Sequence, residues 1–217
     1  MTTRLLIARH GNTFAASDVV KRVGITDLPL VESGLMQGKM LGAYLKQYNL
    51  IPDIIFTSKL KRAIQTAEQA QNAMQTHIPM QAISIFNEID YGCDENQPEI
   101  NVVARLGTET LKAWETSAKV PDGWNVDPHQ IIKNWQNFAA KLTQDYPEKN
   151  ILVITSNGIA RFAPYLTGDF SAFATRYGIK VSTGALCIFE KTATMNQWNC
   201  LAWNVKPTEQ RPSGSGQ

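Results

Sequence analysis

Short runs with no polar member recur along this chain, most clearly Leu5-Leu6-Ile7-Ala8 and Ile151-Leu152-Val153-Ile154. Such a run is too brief for a buried helix. It also lacks the polar and apolar alternation of a strand with one wet face, so it reads as a strand covered on both sides. Ile54-Ile55-Phe56-Thr57, Ala82 to Phe86, Ala185 to Phe189 and Cys200 to Trp203 read as further strands. The segments between them carry a helical period. Leu35, Met36, Met40, Leu41, Tyr44 and Leu45 mark one face of a helix over 34–48, with Ser33 as its expected cap. Leu60, Ala63, Ile64 and Ala67 mark a helix over 59–74, and further helices are expected over 99–116 and 129–146. Strands separated by helices predict an α/β fold: a three-layer sandwich with a mostly parallel central sheet flanked by helices.

The 217 residues fit a single domain over 1–206, with 207–217 too polar and too rich in Pro, Gly and Ser to be ordered. The net charge is only +2 and no block of like charges occurs, which argues against a nucleic-acid or membrane partner. Three cysteines without a C-x-x-C spacing suggest neither a disulfide framework nor a zinc site. No stretch reaches transmembrane length, and Leu5–Ala8 is too short for a signal-peptide core, so a cytoplasmic location is expected. Oligomeric state has no legible signature.

In an open, largely parallel sheet the functional site lies beyond the carboxyl ends of the strands. Two such ends carry suggestive residues: Arg9-His10-Gly11-Asn12-Thr13 and Ser156-Asn157-Gly158. An imidazole has a reference pKa of about 6.5, so it is largely a neutral nucleophile at pH 7 and can take a phosphoryl group. A neighbouring guanidinium can bind phosphoryl oxygens through paired hydrogen bonds. On the tripeptide alone, a histidine that merely ends a strand remains the competing reading.

Other segments add to this pattern. Arg9-His10-Gly11-Asn12-Thr13 resembles the R-H-G-x-T signature of histidine phosphatases, and Leu30 to Gly34 with Gln37 resembles their L-T-x-x-G-x-x-Q segment. Ser58-Lys59-Leu60-Lys61-Arg62-Ala63-Ile64-Gln65-Thr66-Ala67 matches S-x-L-x-R-A-x-Q-T-A, and Glu88-Ile89-Asp90-Tyr91-Gly92 matches E-x-D-[FY]-G. They occur in the family order, and the resemblance to the histidine phosphatase (phosphoglycerate mutase-like) superfamily spans roughly residues 4 to 165. It implies His10 as nucleophile, Arg9 and Arg62 as phosphoryl clamps, Glu88 as proton donor and base, and Asn12 as a substrate contact from the same loop. Asp90, Asp94 and Glu95 are nearby alternatives for the acid. No cofactor or metal is implied, and the expected partner is a phosphorylated small molecule. Residues 87–128 are expected to form a partial lid. Trp114, Trp124 and Trp135 are expected to pack rather than to touch substrate.

The resemblance also implies a departure. After the strand at Ile151 the family places a histidine-glycine pair, whereas this chain has Asn157-Gly158. Neither His77 nor His129 has suitable surroundings to take that place. A neutral amide in place of an imidazolium replaces a charge-assisted hydrogen bond with a weaker one. A loss of about 1.5–3 kcal/mol would slow transfer by roughly 10- to 100-fold. The expectation is a phosphomonoester hydrolase weakened by Asn157. The alternatives are a binding module that has lost turnover and a phosphoglycerate mutase-type phosphotransferase.

Overall fold

A computed structural model describes residues 2–207; most of the expected tail, residues 208–217, lies outside the described residues. In chain order the regular elements are β1 (Thr2–Arg9), β2 (Lys21–Arg22), α1 (Glu32–Gln47), β3 (Ile54–Thr57), α2 (Lys61–Met74), β4 (Met80–Ala82), β5 (Gln97–Pro98), α3 (Glu99–Leu106), α4 (Thr108–Ser117), α5 (Pro128–Asp145), β6 (Asn150–Thr155), α6 (Asn157–Ala160), α7 (Phe170–Tyr177), β7 (Leu186–Thr192) and β8 (Asn199–Val205). Six strands form the central sheet in the order β4-β3-β6-β1-β7-β8, and β2 pairs with β5 in a separate ribbon. The first four run parallel, β7 is antiparallel to β1, and β8 is antiparallel to β7.

The apolar runs are apolar throughout because helices cover both faces of the sheet. Leu5 and Ile7 of β1, with Ile151 and Val153 of β6, face a core holding Trp114, Trp135 and Phe162. Their neighbours Leu6, Ala8, Leu152 and Ile154 face the other way, against Leu41 and Leu45 of α1 and Ala63, Ala67 and Ala70 of α2. The period-2 direction of side chains along a strand produces this division. Helices α1 and α2 pack backbone to backbone: a Cβ on Gly42 would lie 2.2 Å from the Ala70 carbonyl oxygen.

Three local expectations are corrected. The strand expected over 82–86 ends at Ala82, and Ser84–Phe86 form a 3-10 turn. That turn drops Phe86 into the aromatic core, 5.1 Å from the Trp135 ring, and its apolar residues reflect burial rather than extension. The helix expected over 99–116 is two helices, broken at Gly107, whose φ of 78° lies in the left-handed region that glycine tolerates. Ser33 does not cap α1, which starts at Glu32 after an extended Val31; its hydroxyl accepts from Asn12 Nδ2 at 3.2 Å instead. By contrast α5 has a side-chain cap, Asp127 accepting from the Gln130 amide at 3.1 Å, with Pro128 opening the helix.

Candidate active site

Strands β1 and β6 are parallel neighbours in the middle of the sheet, with Arg9 opposite Thr155. Their carboxyl ends therefore deliver His10 and Asn157 to the same edge. The turn after His10 folds tightly over the start of α1, and a Cβ on Gly11 would come 2.3 Å from the Gly34 carbonyl oxygen. Polar residues of the sequence motifs tether this loop through its backbone. Thr66 Oγ1 accepts from the Gly11 amide at 3.0 Å, Gln37 Oε1 from Asn12 at 2.8 Å, and Gln65 Oε1 from Leu30 at 2.8 Å.

His10 is buried, at 5% exposure. Its Nδ1 lies 2.7 Å from the Gly11 carbonyl, which can only accept, so Nδ1 carries the proton. Its Nε2 accepts from Nε of Arg62 at 3.2 Å and so keeps its lone pair towards the guanidinium. Burial holds the imidazole well below its usual pKa, and the charges of Arg62 and Arg9 push the same way. His10 is thus a neutral base in one defined tautomer.

Arg62 stands in the first turn of α2. Besides His10 it donates to the carbonyls of Thr26 (Nη1, 2.7 Å) and Gly24 (Nη2, 2.5 Å). Those two residues are themselves held by Glu95, whose Oε1 accepts from the amides of Gly24 and Thr26, each at 3.0 Å, and from the Thr26 hydroxyl at 2.6 Å. A continuous chain of bonds therefore runs from Glu95 through the 24–26 loop to Arg62 and His10.

Arg9 donates Nη1 to the Val181 carbonyl at 2.8 Å, while its buried Nε has no hydrogen-bond partner among the described residues. The amide of the same Val181 donates to Asn157 Oδ1 at 2.9 Å. One peptide residue thereby bridges the guanidinium and the carboxamide. The Val181 amide needs an acceptor, which fixes the amide orientation and leaves the Asn157 NH2 as its remaining donor group. Behind Asn157 lies Arg161, buried, 4.0 Å over the Trp114 ring and donating Nε to the Asn157 carbonyl at 3.2 Å. Burial pushes its pKa down to about 10.

Glu88 is buried at 7% exposure, with Oε1 accepting from the Ile89 amide at 3.0 Å and Oε2 from the Gly158 amide at 3.2 Å. The other acidic candidates are engaged elsewhere. Asp90 bonds the Asn125 amide group, Asp94 pairs with Arg105 and Trp124 Nε1, and Glu95 holds the 24–26 loop.

Arg9, His10, Asn12, Arg62, Glu88 and Asn157 all line one open cavity of about 730 Å³. Of the 87–128 segment, Glu88, Tyr91 and Glu99 line it, while Trp114 and Trp124 are buried in the core beneath. His77 and His129 do not line it. Sequence reasoning missed Val181, Arg161, and the cavity residues Lys21, Arg22 and Glu99. Backbone bridging by Val181 has no side-chain signal. Arg161 sits four residues after Asn157, a helical spacing that could have drawn notice.

A model of the histidine phosphatase superfamily (branch 1) matches residues 5–206. The chain is 34% identical over 167 residues to the 2,3-bisphosphoglycerate-dependent phosphoglycerate mutase of Bifidobacterium longum (strain DJO10A), covering 76% of this chain and 65% of that protein. It therefore spans about 65% of the length of this relative. Mycobacterial glucosyl-3-phosphoglycerate phosphatase shares the fold with a TM-score of 0.75 at 18% identity, over 94% of this chain and 100% of that one. The alpha-ribazole phosphatase from Shigella flexneri does so with a TM-score of 0.69 at 21% identity, over 95% and 100%. Among the described residues no helix is long and apolar enough to cross a membrane. The match across residues 5–206 places the chain in the histidine phosphatase superfamily.

Proposed function

We propose that this chain is a cytoplasmic phosphomonoester hydrolase working through a phosphohistidine on His10. One observation carries the reading: a neutral His10, with its unprotonated Nε2 beside Arg62, lines the cavity shared with Arg9 and Glu88. In the first step Nε2 attacks the phosphorus, an Nε2–P bond forms and the ester P–O bond breaks. The Glu88 carboxyl group gives its proton to the departing oxygen. In the second step a water oxygen attacks the phosphorus, Glu88 takes the water proton, and the Nε2–P bond breaks to release phosphate. Charge on the three equatorial oxygens is met by Arg9, Arg62 and the Asn157 amide, so the protein's contribution is positioning and positive electrostatics. Residues 87–128 serve in this proposal as a side wall and partial lid.

Phosphohistidine survives base and is lost in acid. Incubation with a labelled aryl phosphate and an alkaline quench should leave label on the protein, and His10→Ala should abolish both label and turnover. Label retained in His10→Ala would overturn the assignment. A binding module without turnover is the second reading, favoured by the neutral Asn157. A mutase-type phosphotransferase is a third, favoured by the mutase relative; conversion of 3-phosphoglycerate to its 2-isomer would establish it.

A further inference from the structure

The charged lining of the cavity falls into two groups. Arg9, Arg62 and Glu88 belong to the His10 cluster. Lys21, Arg22 and Glu99 come from the β2–β5 ribbon and the start of α3, and Glu32 from α1, with Phe14, Ala15, Val20 and Val31 as apolar lining. The two cations and two acids of this second group cancel in formal charge. Arg22 is moreover already engaged. Its Nη2 is ion-paired with Glu99 Oε1, and its guanidinium carbon lies 5.4 Å from the ring centres of both Tyr91 and Trp124. The arrangement is built by the β2–β5 ribbon, because the Glu99 amide donates to the Val20 carbonyl at 3.0 Å and carries α3 to the cavity mouth. Val19, Val20 and Ile100, on these neighbouring segments, expose apolar side chains, and Val20 lines the cavity.

We infer that Glu99 is a specificity-determining residue: by occupying Arg22 it turns the ribbon side of the cavity away from a second anionic group and towards phosphomonoesters of neutral, largely apolar alcohols. This rests on the phosphate-ester reading of the His10 site. A ligand with a carboxylate beyond its phosphate meets Glu99 and Glu32 with only Lys21 unpaired among the described residues. An alkyl group of similar length meets valine, alanine and phenylalanine walls, where burial of apolar area is favourable. Freed from its partner, Arg22 could offer a charge-assisted bond to such a carboxylate, worth about tenfold or more in affinity.

The test is titration calorimetry at pH 7 on the full chain, unsubstituted for inorganic phosphate and carrying His10→Ala, which cannot turn the esters over, for hexyl phosphate and 3-phosphoglycerate. Hexyl phosphate should bind at least about tenfold more tightly than 3-phosphoglycerate, and Glu99→Gln should shift the ratio of the two dissociation constants about tenfold towards the acid. Adding Arg22→Gln to Glu99→Gln should erase that shift, which a general disturbance of the mouth would not do. Inorganic phosphate reports on the His10 site alone, and its failure to bind would remove the underlying reading. If phosphate binds while the two esters bind equally, or while their ratio ignores Glu99→Gln, the inference about Glu99 is overturned and the site reading stands.

Discussion

The Nε–H of Arg62 points at Nε2 of His10 across 3.2 Å, so the proposed nucleophile and a proposed phosphoryl clamp hold each other before substrate arrives. A phosphoryl oxygen is a stronger, charged acceptor than imidazole and should draw the guanidinium towards itself, releasing the lone pair for attack. Arg62 is therefore expected to matter more for phosphate affinity than Asn157 does. Loss of charged donors in Arg62→Ala should weaken inorganic phosphate binding by roughly 10- to 100-fold, and loss of one neutral donor in Asn157→Ala by no more than about tenfold. Calorimetry on the two folded variants decides, and equal losses would overturn this division of roles.

His10 also gives the fold a pH dependence. Its folded pKa is depressed well below 6.5 by burial, then by Arg62 and Arg9. In the unfolded chain it titrates near pH 6.5, so below that pH the unfolded state takes up a proton that the folded state refuses. Stability should fall with falling pH from about 6.5 downward, by up to about 1.4 kcal/mol per pH unit from this group, until the folded pKa is reached. Urea unfolding of the chain and of His10→Gln at pH 7.5 and 5.5 isolates the contribution. The variant should lose less between the two pH values; an identical loss would contradict a neutral buried His10.

Gly158 is the residue on which the Glu88 carboxyl group rests. A Cβ there would lie 2.2 Å from Glu88 Oε1 and 2.9 Å from Ile89 Cγ1. Gly158→Ala should displace the proposed acid while leaving Arg9 and Arg62 in place. A leaving group that needs protonation should suffer most, with kcat on an alkyl phosphate falling by about 100-fold or more. An aryl phosphate, whose phenolate leaves without help, should lose much less. A uniform loss across both esters would point to a general collapse of the site.

Asn157→His is expected to speed hydrolysis, but the Val181 amide limits the gain. That N–H donates to the side chain at this position, so an imidazole placed there keeps Nδ1 unprotonated and presents only a neutral Nε2–H near pH 7. The increase should therefore sit at the lower end of the 10- to 100-fold range, at about tenfold, and stay nearly constant as pH falls, because the imidazolium forms only by giving up the Val181 bond. The rate profile between pH 5.5 and 7.5, compared with the unsubstituted chain, is the measurement. A gain that rises steeply as pH falls would show that the imidazolium forms and that the Val181 bond does not hold the ring neutral.

Much of this architecture is legible in the sequence, because both-face burial leaves a distinct mark: Leu5 to Ala8 and Ile151 to Ile154 could hardly be anything but central strands. The convergence of Arg9, His10, Arg62 and Asn157 on one cavity is what the two strand ends and the family resemblance of the Ser58 to Ala67 segment imply, and Glu88 lines the cavity with them. The failures have physical causes. Ile83, Ile85 and Phe86 pack against the core from a 3-10 turn, and hydrophobicity reports that burial without reporting backbone geometry. Gly107 divides α3 from α4 through a positive φ that composition does not reveal. Asp90, Asp94, Glu95 and Glu88 are chemically alike in sequence, and only their partners tell them apart. The Arg22 and Glu99 pair joins residues 77 positions apart across a two-residue ribbon too short to leave a pattern.

That ribbon also bears on how the cavity wall holds together. The Asn96 amide donates to the Arg22 carbonyl at 2.7 Å and the Glu99 amide to the Val20 carbonyl at 3.0 Å, so two segments distant in sequence are sewn together by main-chain bonds. They cannot open one at a time without breaking those bonds. The two segments therefore act as one continuous piece of cavity wall and not as two independent loops. The amide protons of Asn96 and Glu99 should exchange with solvent at one shared rate, and a phosphate ester bound against this wall should slow both together.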